Sequence, residues 1–192
     1  MTEIEKNIDR KTILAESFLK KSLSGQHFNE CNFQNCDFSE ATLRNVTFSS
    51  SIFSNCNFSL VKLEGCRLQD VQFVNCKFVG AEFFKCVQTF FSVNFKNCLL
   101  QYCNFSDLNM KKHSFIGSKL KECHFINTNL SDADFRDVDL SGTVFHNCDL
   151  CRADFSSSIQ YDIDPRTNKI KKAKFSFPEA AGLLRVFDIT IV

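Results

Sequence analysis

The stretch Ser54–Phe78 reads SNCNF SLVKL EGCRL QDVQF VNCKF, and each fifth residue, Phe58, Leu63, Leu68, Phe73 and Phe78, is Phe or Leu. An α-helix advances 100° per residue, so a stripe with this period would spiral around it by about 140° per repeat. A half-buried strand needs a period of two. A chain that turns a corner every five residues satisfies the pattern, because each side then puts one large residue inside. Four such sides close a coil in about 20 residues.

Outward from this stretch the period covers most of the chain. Large residues recur from Leu23 through Phe28, Phe33 and Phe38 to Phe83. The phase then slips by two residues within FKCVQTFF, residues 84–91, and resumes at Phe90 and Phe95, running on to Phe155 and weakly to Phe175. The slip reads either as a harmless accommodation or as a bend that shapes a partner surface. Two residues before each large one the chain is small: Cys at ten positions, including Cys36, Cys56 and Cys76, and Ala at 41, 81, 133, 153 and 173. Large and small positions point inward, and the other three of each five face water. A 20-residue coil stacks Phe38, Phe58 and Phe78 in one ladder and Phe95, Phe115, Phe135 and Phe155 in another. The expected fold is all-β, a quadrilateral β-helix of about seven coils with a short C-terminal helix. Its segments are an N-terminal cap at 1–22 with a short helix inside 2–20, the repeat at 23–160 with its break at 84–89, and a C-terminal cap and dimerisation segment at 161–192.

Composition agrees with a periodic core: 23 Phe and no Trp in 192 residues. The net charge of +1 points neither to nucleic acid nor to membrane. No apolar run of about 20 residues suggests a membrane span, and the charged start MTEIEKNIDRKT lacks a secretory signal's apolar core. Eleven Cys, an odd number, fit a reducing cytoplasm better than a disulfide framework.

The near-zero total hides a pattern. Between Glu122 and Asp164 nine acidic residues face only Arg136 and Arg152, and between Arg166 and Arg185 six basic residues face only Glu179. Asp132, Asp134, Asp137, Asp139, Asp149 and Asp154 are the candidate partner-facing surface. They read either as a solubilising face or as a strip imitating the phosphate rows of a duplex. At the other extreme, Leu183, Leu184, Val186, Phe187, Ile189 and Ile191 lie near an open solenoid end. They either fold back as a lid or form a dimer interface.

No catalytic constellation emerges. Cys148 and Cys151 have CxxC spacing, but one points inward and the other outward, so they cannot share a metal. His113 occupies an inward small position, while His27, His124 and His146 face water. There is no Gly-rich phosphate loop, and a Phe-packed rod leaves no cavity for a substrate. The chain is expected to be no enzyme, with no cofactor, no metal, no direct nucleic-acid binding and no membrane contact.

The units ADFRDVDLSG and RADFSSS resemble the tandem A(D/N)LxX repeats of the pentapeptide-repeat proteins. The resemblance covers about Leu23 to Phe155 and implies a right-handed quadrilateral β-helix. The opening IEKNIDRKTILAESFLKKSLSG and the tail DIDPRTNKIKKAKFSFPEAAGLL are similar to the gyrase-protecting branch, of the quinolone-resistance and microcin B17 immunity type. That similarity implies a homodimer joined at the C-terminal ends and a DNA mimic that binds DNA gyrase or topoisomerase IV. Two features depart from that branch: the chain is not strongly acidic, and only the two-residue slip interrupts its central repeats. The alternative is a structural or scaffolding rod without topoisomerase contact.

Overall fold

The computed structural model describes residues 7–189. Its strands are short and pair in parallel with segments 20 residues further on. One row runs Asn7–Asp9, His27–Asn29, Thr47–Ser49 and Arg67–Gln69. A second begins Thr12–Leu14, Asn32–Gln34 and Ile52–Ser54. An offset of 20 residues is one coil of four five-residue sides, and the coils stack into a β-solenoid of about eight turns. This is one more than counting from Leu23 gives, because residues 7–22 already form a coil. The short helix expected within 2–20 does not form over the described residues. Ile8, Ile13 and Phe18 keep the five-residue spacing and pack against the core as coil residues do.

Most corners are made by the residue two past a large one. These residues have positive φ, for example Asn35 (54°), Asn55 (55°), Asn75 (54°), Asn127 (55°) and Asn147 (53°). The left-handed region is costly for most L-residues and mildest for Asn, Asp and Gly, which explains the Asn columns. Gly117 (φ 67°) shows a second constraint: a Cβ there would lie 2.2 Å from Asn97 Oδ1. Its corner has room for the Asn97 side chain only because Gly117 has none.

The interior is an aromatic stack. Phe33, Phe53, Phe73, Phe95, Phe115, Phe135, Phe155 and Phe175 form one continuous column with centroid spacings of 4.6–5.4 Å. Phe38, Phe58 and Phe78 stack in a second column at 4.8 and 4.7 Å. Adjacent columns meet edge to face, as Phe105 and Phe115 do at 84°. Both arrangements suit the aromatic quadrupole. Each ring also leaves water on folding, a gain of about 2–3 kcal/mol per Phe.

The small inward residues do more than fill space. The Cys76, Cys98, Cys123 and Cys148 thiols donate to the carbonyls of Phe53, Phe73, Leu100 and Phe125, 3.1–3.4 Å away in the adjacent coil. Thr128 and Thr143 hydroxyls donate in the same way to Phe105 and Leu120. Cysteine serves here as a small hydrophobe with a weak donor. Ten of the eleven thiols are buried and all eleven are free; burial pushes Cys36 and Cys148 above the usual thiol range. In the folded protein a thiol reagent should therefore titrate Cys151 quickly and the other ten only with global unfolding. Several fast-reacting thiols would show that the coils open locally.

The break is confined to one corner. Val87 still pairs in the 20-residue register, its N–H bonding to Cys66 O at 2.9 Å. Val71–Val74 then pairs with Val93–Lys96, and Lys77–Val79 with Leu99–Gln101, both at 22 residues. The aromatic column crosses this point without a gap, Phe73 to Phe95 at 5.3 Å. The insertion is thus a local bulge rather than a kink through the core. Phe90, read as inward from its spacing, is 75% exposed; Phe91 fills the interior instead at 7%. With two extra residues to place, the chain swings one position further before it re-enters.

The coil also continues beyond residue 160. Tyr161 and Ile163 are buried, and Asp154–Phe155 pairs with Lys174–Phe175. A 3₁₀-helix, Glu179–Phe187, follows and ends at Asp188 with φ 50°.

Candidate partner-binding surface

With aromatic rings filling the centre, chemistry is left to the outside. The side built on Phe115, Phe135 and Phe155 carries Ser114, Asp134, Asp154 and Lys174 in one outward column. Asp132 and Asp137 form the corners that bound this side, with φ 60° and 59°. Four of the six candidate carboxylates are therefore neighbours. The other two lie on flanking sides: Asp139 between Lys119 and Ile159, and Asp149 between Asn129 and Lys169.

The group is not bare. Arg136 meets Asp134 at 2.7 Å, Arg152 meets Asp132 at 2.6 Å and Lys174 meets Asp154 at 3.0 Å. Hydrogen bonds from Arg152 and Arg136 hold Asp132 and Asp134 below the usual carboxylate range. Partial burial opposes ionisation of Asp154, but Ser156 and Lys174 outweigh it. Three cations thus offset Asp132, Asp134, Asp137 and Asp154 to one excess negative charge. These partners are readable from the sequence once the 20-residue register is known: Asp132 and Arg152 are one coil apart, as are Asp154 and Lys174. A count of charge along the chain finds Arg136 and Arg152 but not their partners, and it leaves Lys174 in the basic tail, because it ignores stacking.

At the C-terminal end, Leu184, Phe187 and Ile189 are 41%, 52% and 56% exposed. Leu183 instead packs against the core, and Val186 is half-buried. Ile191 lies outside the described residues. Phe177, which the sequence reading did not select, is 82% exposed. Its signal was available: it stands two residues past Phe175 and so falls off the inward register.

The remaining sequence candidates do not converge. Cys148 is buried and Cys151 is half-exposed, so the CxxC pair is split between inside and outside. Among the described residues no group of three or more His, Cys, Asp or Glu could hold a metal ion, and no helix is long and apolar enough to cross a membrane. His27, His124 and His146 face solvent.

His113 is buried at 8%, with Nδ1 3.1 Å from Lys111 O and Nε2 without a hydrogen-bond partner. Burial pushes its pKa below the ordinary histidine value. The unfolded chain therefore binds the proton more readily than the folded one. Stability attributable to this site is complete above about pH 6.5 and falls as pH drops toward the depressed folded pKa, by at most about 1.4 kcal/mol per pH unit. His113→Val, matching Val93 one coil away, should flatten the dependence of Tm between about pH 6.5 and 5. An unchanged slope would place the titration elsewhere.

A four-sided solenoid with small and aromatic residues alternating inward defines a class, and the comparisons agree with it. The chain belongs to the pentapeptide repeat family: the model of the pentapeptide repeat region matches residues 26–89 and 88–160. No curated protein matches it in sequence. Among solved structures it is similar to full-length QnrB1, a plasmid-mediated fluoroquinolone resistance protein, with 18% identity, a TM-score of 0.55 and coverage of 95% of this chain and 100% of that one. A trypsin-treated QnrB1 variant gives 19% identity and a TM-score of 0.58, covering 98% of both chains. HetL, a protein involved in heterocyst differentiation regulation from the cyanobacterium Nostoc sp. strain PCC 7120, gives 16% identity, a TM-score of 0.55 and coverage of 90% and 89%. At these identities the likeness concerns the fold.

Proposed function

We propose that this chain is a cytoplasmic, non-enzymatic binding rod that engages DNA gyrase or topoisomerase IV and protects it from quinolones or a gyrase-poisoning peptide. The observation that carries the reading is the clustering of Asp132, Asp134, Asp137 and Asp154 on one flat side of a solid rod. Such a side presents neighbouring carboxylates, a sparse version of a duplex backbone. The opening and tail sequences similar to the gyrase-protecting branch support it, as does the likeness in fold to a fluoroquinolone resistance protein. Two copies joined through Leu184, Phe187 and Ile189 make a longer rod and cover the apolar end.

One observation favours a second reading. Arg136, Arg152 and Lys174 interrupt the acidic side, so charge alternates in sign along it. Alternating charge suits a protein scaffold, and the likeness in fold to HetL, a protein involved in heterocyst differentiation regulation, is compatible with it. A displacement experiment separates the two. Labelled duplex bound to purified DNA gyrase or topoisomerase IV should be released as the rod is added. Duplex that stays bound at saturating rod, with no complex formed, would leave the scaffold.

A further inference from the structure

The register break exposes a residue that the fold does not need. Phe90 is 75% exposed and its φ is 62°. Positive φ is the corner conformation of this fold, but the left-handed region suits a bulky aromatic poorly, so a ring at this corner adds nothing to the backbone turn. Burial does not compensate for it, because Phe91 supplies the interior ring here, stacked over His113 at 6.1 Å. The corner column containing Phe90 is otherwise polar. Asp70 precedes it by one coil, and Lys112, Asp132 and Arg152 follow, all with positive φ. Asp70, Lys111 and Lys112 are exposed. Asp132 belongs to the acidic side described above, so the ring stands on an edge of that side.

A single aromatic ring surrounded by charged groups has the anatomy of an interface anchor: a large rigid apolar contact at the centre and a polar rim around it. Nucleic acid fits this edge poorly, since cations alternate with Asp70 and Asp132 instead of running together. We infer that Phe90 is an anchor residue of the rod's partner interface, inserting into an apolar pocket of a protein whose rim carries charges of both signs. Resting on the proposal above, that protein is the topoisomerase.

The test compares the full chain with Phe90→Asn and Phe90→Tyr in binding to purified gyrase and topoisomerase IV, alongside Tm. Asn tolerates positive φ, so Phe90→Asn should keep or raise Tm while weakening binding at least tenfold. Phe90→Tyr should bind within a few-fold of the wild type. If the wild type binds and Phe90→Asn binds equally well, the anchor is overturned and the topoisomerase reading stands. If the wild type binds neither enzyme, both fall. Binding of a single-stranded oligonucleotide that depends on Phe90 would also overturn the inference, in favour of a stacking platform.

Discussion

Phe115→Ala should destabilise the protein by about 3–5 kcal/mol, a large share of the roughly 5–15 kcal/mol that holds an ordinary domain folded. Phe115 is fully buried, stacks on Phe95 at 5.4 Å and on Phe135 at 5.0 Å, and meets Phe105 and Phe125 edge on. Its removal leaves a hole in the middle of a column. The coils are held at fixed spacing by strand-like hydrogen bonds, so the neighbours cannot collapse into it. Solenoid stability is close to a sum over repeats and their contacts with nearest neighbours. The loss should therefore divide the rod, with the coils on either side unfolding in separate steps. Chemical denaturation followed by circular dichroism reads both effects. A loss below about 1 kcal/mol would mean that the column is not what holds the coils together.

The second large effect concerns the C-terminal end. Leu184→Asp combined with Phe187→Asp should convert the proposed dimer to a monomer. Both residues lie in the 3₁₀-helix Glu179–Phe187 and expose 41% and 52% of their surface, whereas Leu183 of the same helix packs inward. The substitutions thus spare the contacts that hold the helix to the rod. In a symmetric pair each change acts twice, and burying one such side chain contributes about 1.5–3 kcal/mol. The dimer dissociation constant should rise at least roughly a hundredfold. Sedimentation equilibrium at micromolar concentration should show the mass halved, with the folded circular dichroism spectrum kept in the monomer. A wild type that sediments as a monomer would contradict the proposed dimer; a variant that remains dimeric would move the interface elsewhere.

The fold was legible because one rule is repeated. Phe58, Leu63, Leu68, Phe73 and Phe78 admit no helix or simple strand, and the interior columns follow from the 20-residue coil. What escaped lies where the rule is interrupted or where neighbours in space are distant in sequence. At the slip, spacing alone chose Phe90 for the interior; the backbone's path around the bulge decides for Phe91. At the start, Ile8, Ile13 and Phe18 keep the period but lack its Cys and Ala companions, so the first coil reads as a helix. In the candidate surface, the acidic residues and Arg136 and Arg152 were found, but not which carboxylate each cation meets, nor that Lys174 reaches Asp154. Arg152 is 20 residues from Asp132 in the chain and 2.6 Å away in space. The corner conformation explains the Asn columns, yet Leu60, Phe90 and Tyr102 hold the same positive φ. Position in the coil, rather than residue type, sets that backbone.

The most direct measurement is DNA supercoiling by purified gyrase in the presence of ciprofloxacin, with and without the rod, repeated with microcin B17. Restored supercoiling at low rod concentration, with at least one of the two poisons, is the expected result. Supercoiling that stays blocked with both, at rod concentrations well above that of the enzyme, would contradict the protective function and leave a scaffold whose partner is another protein.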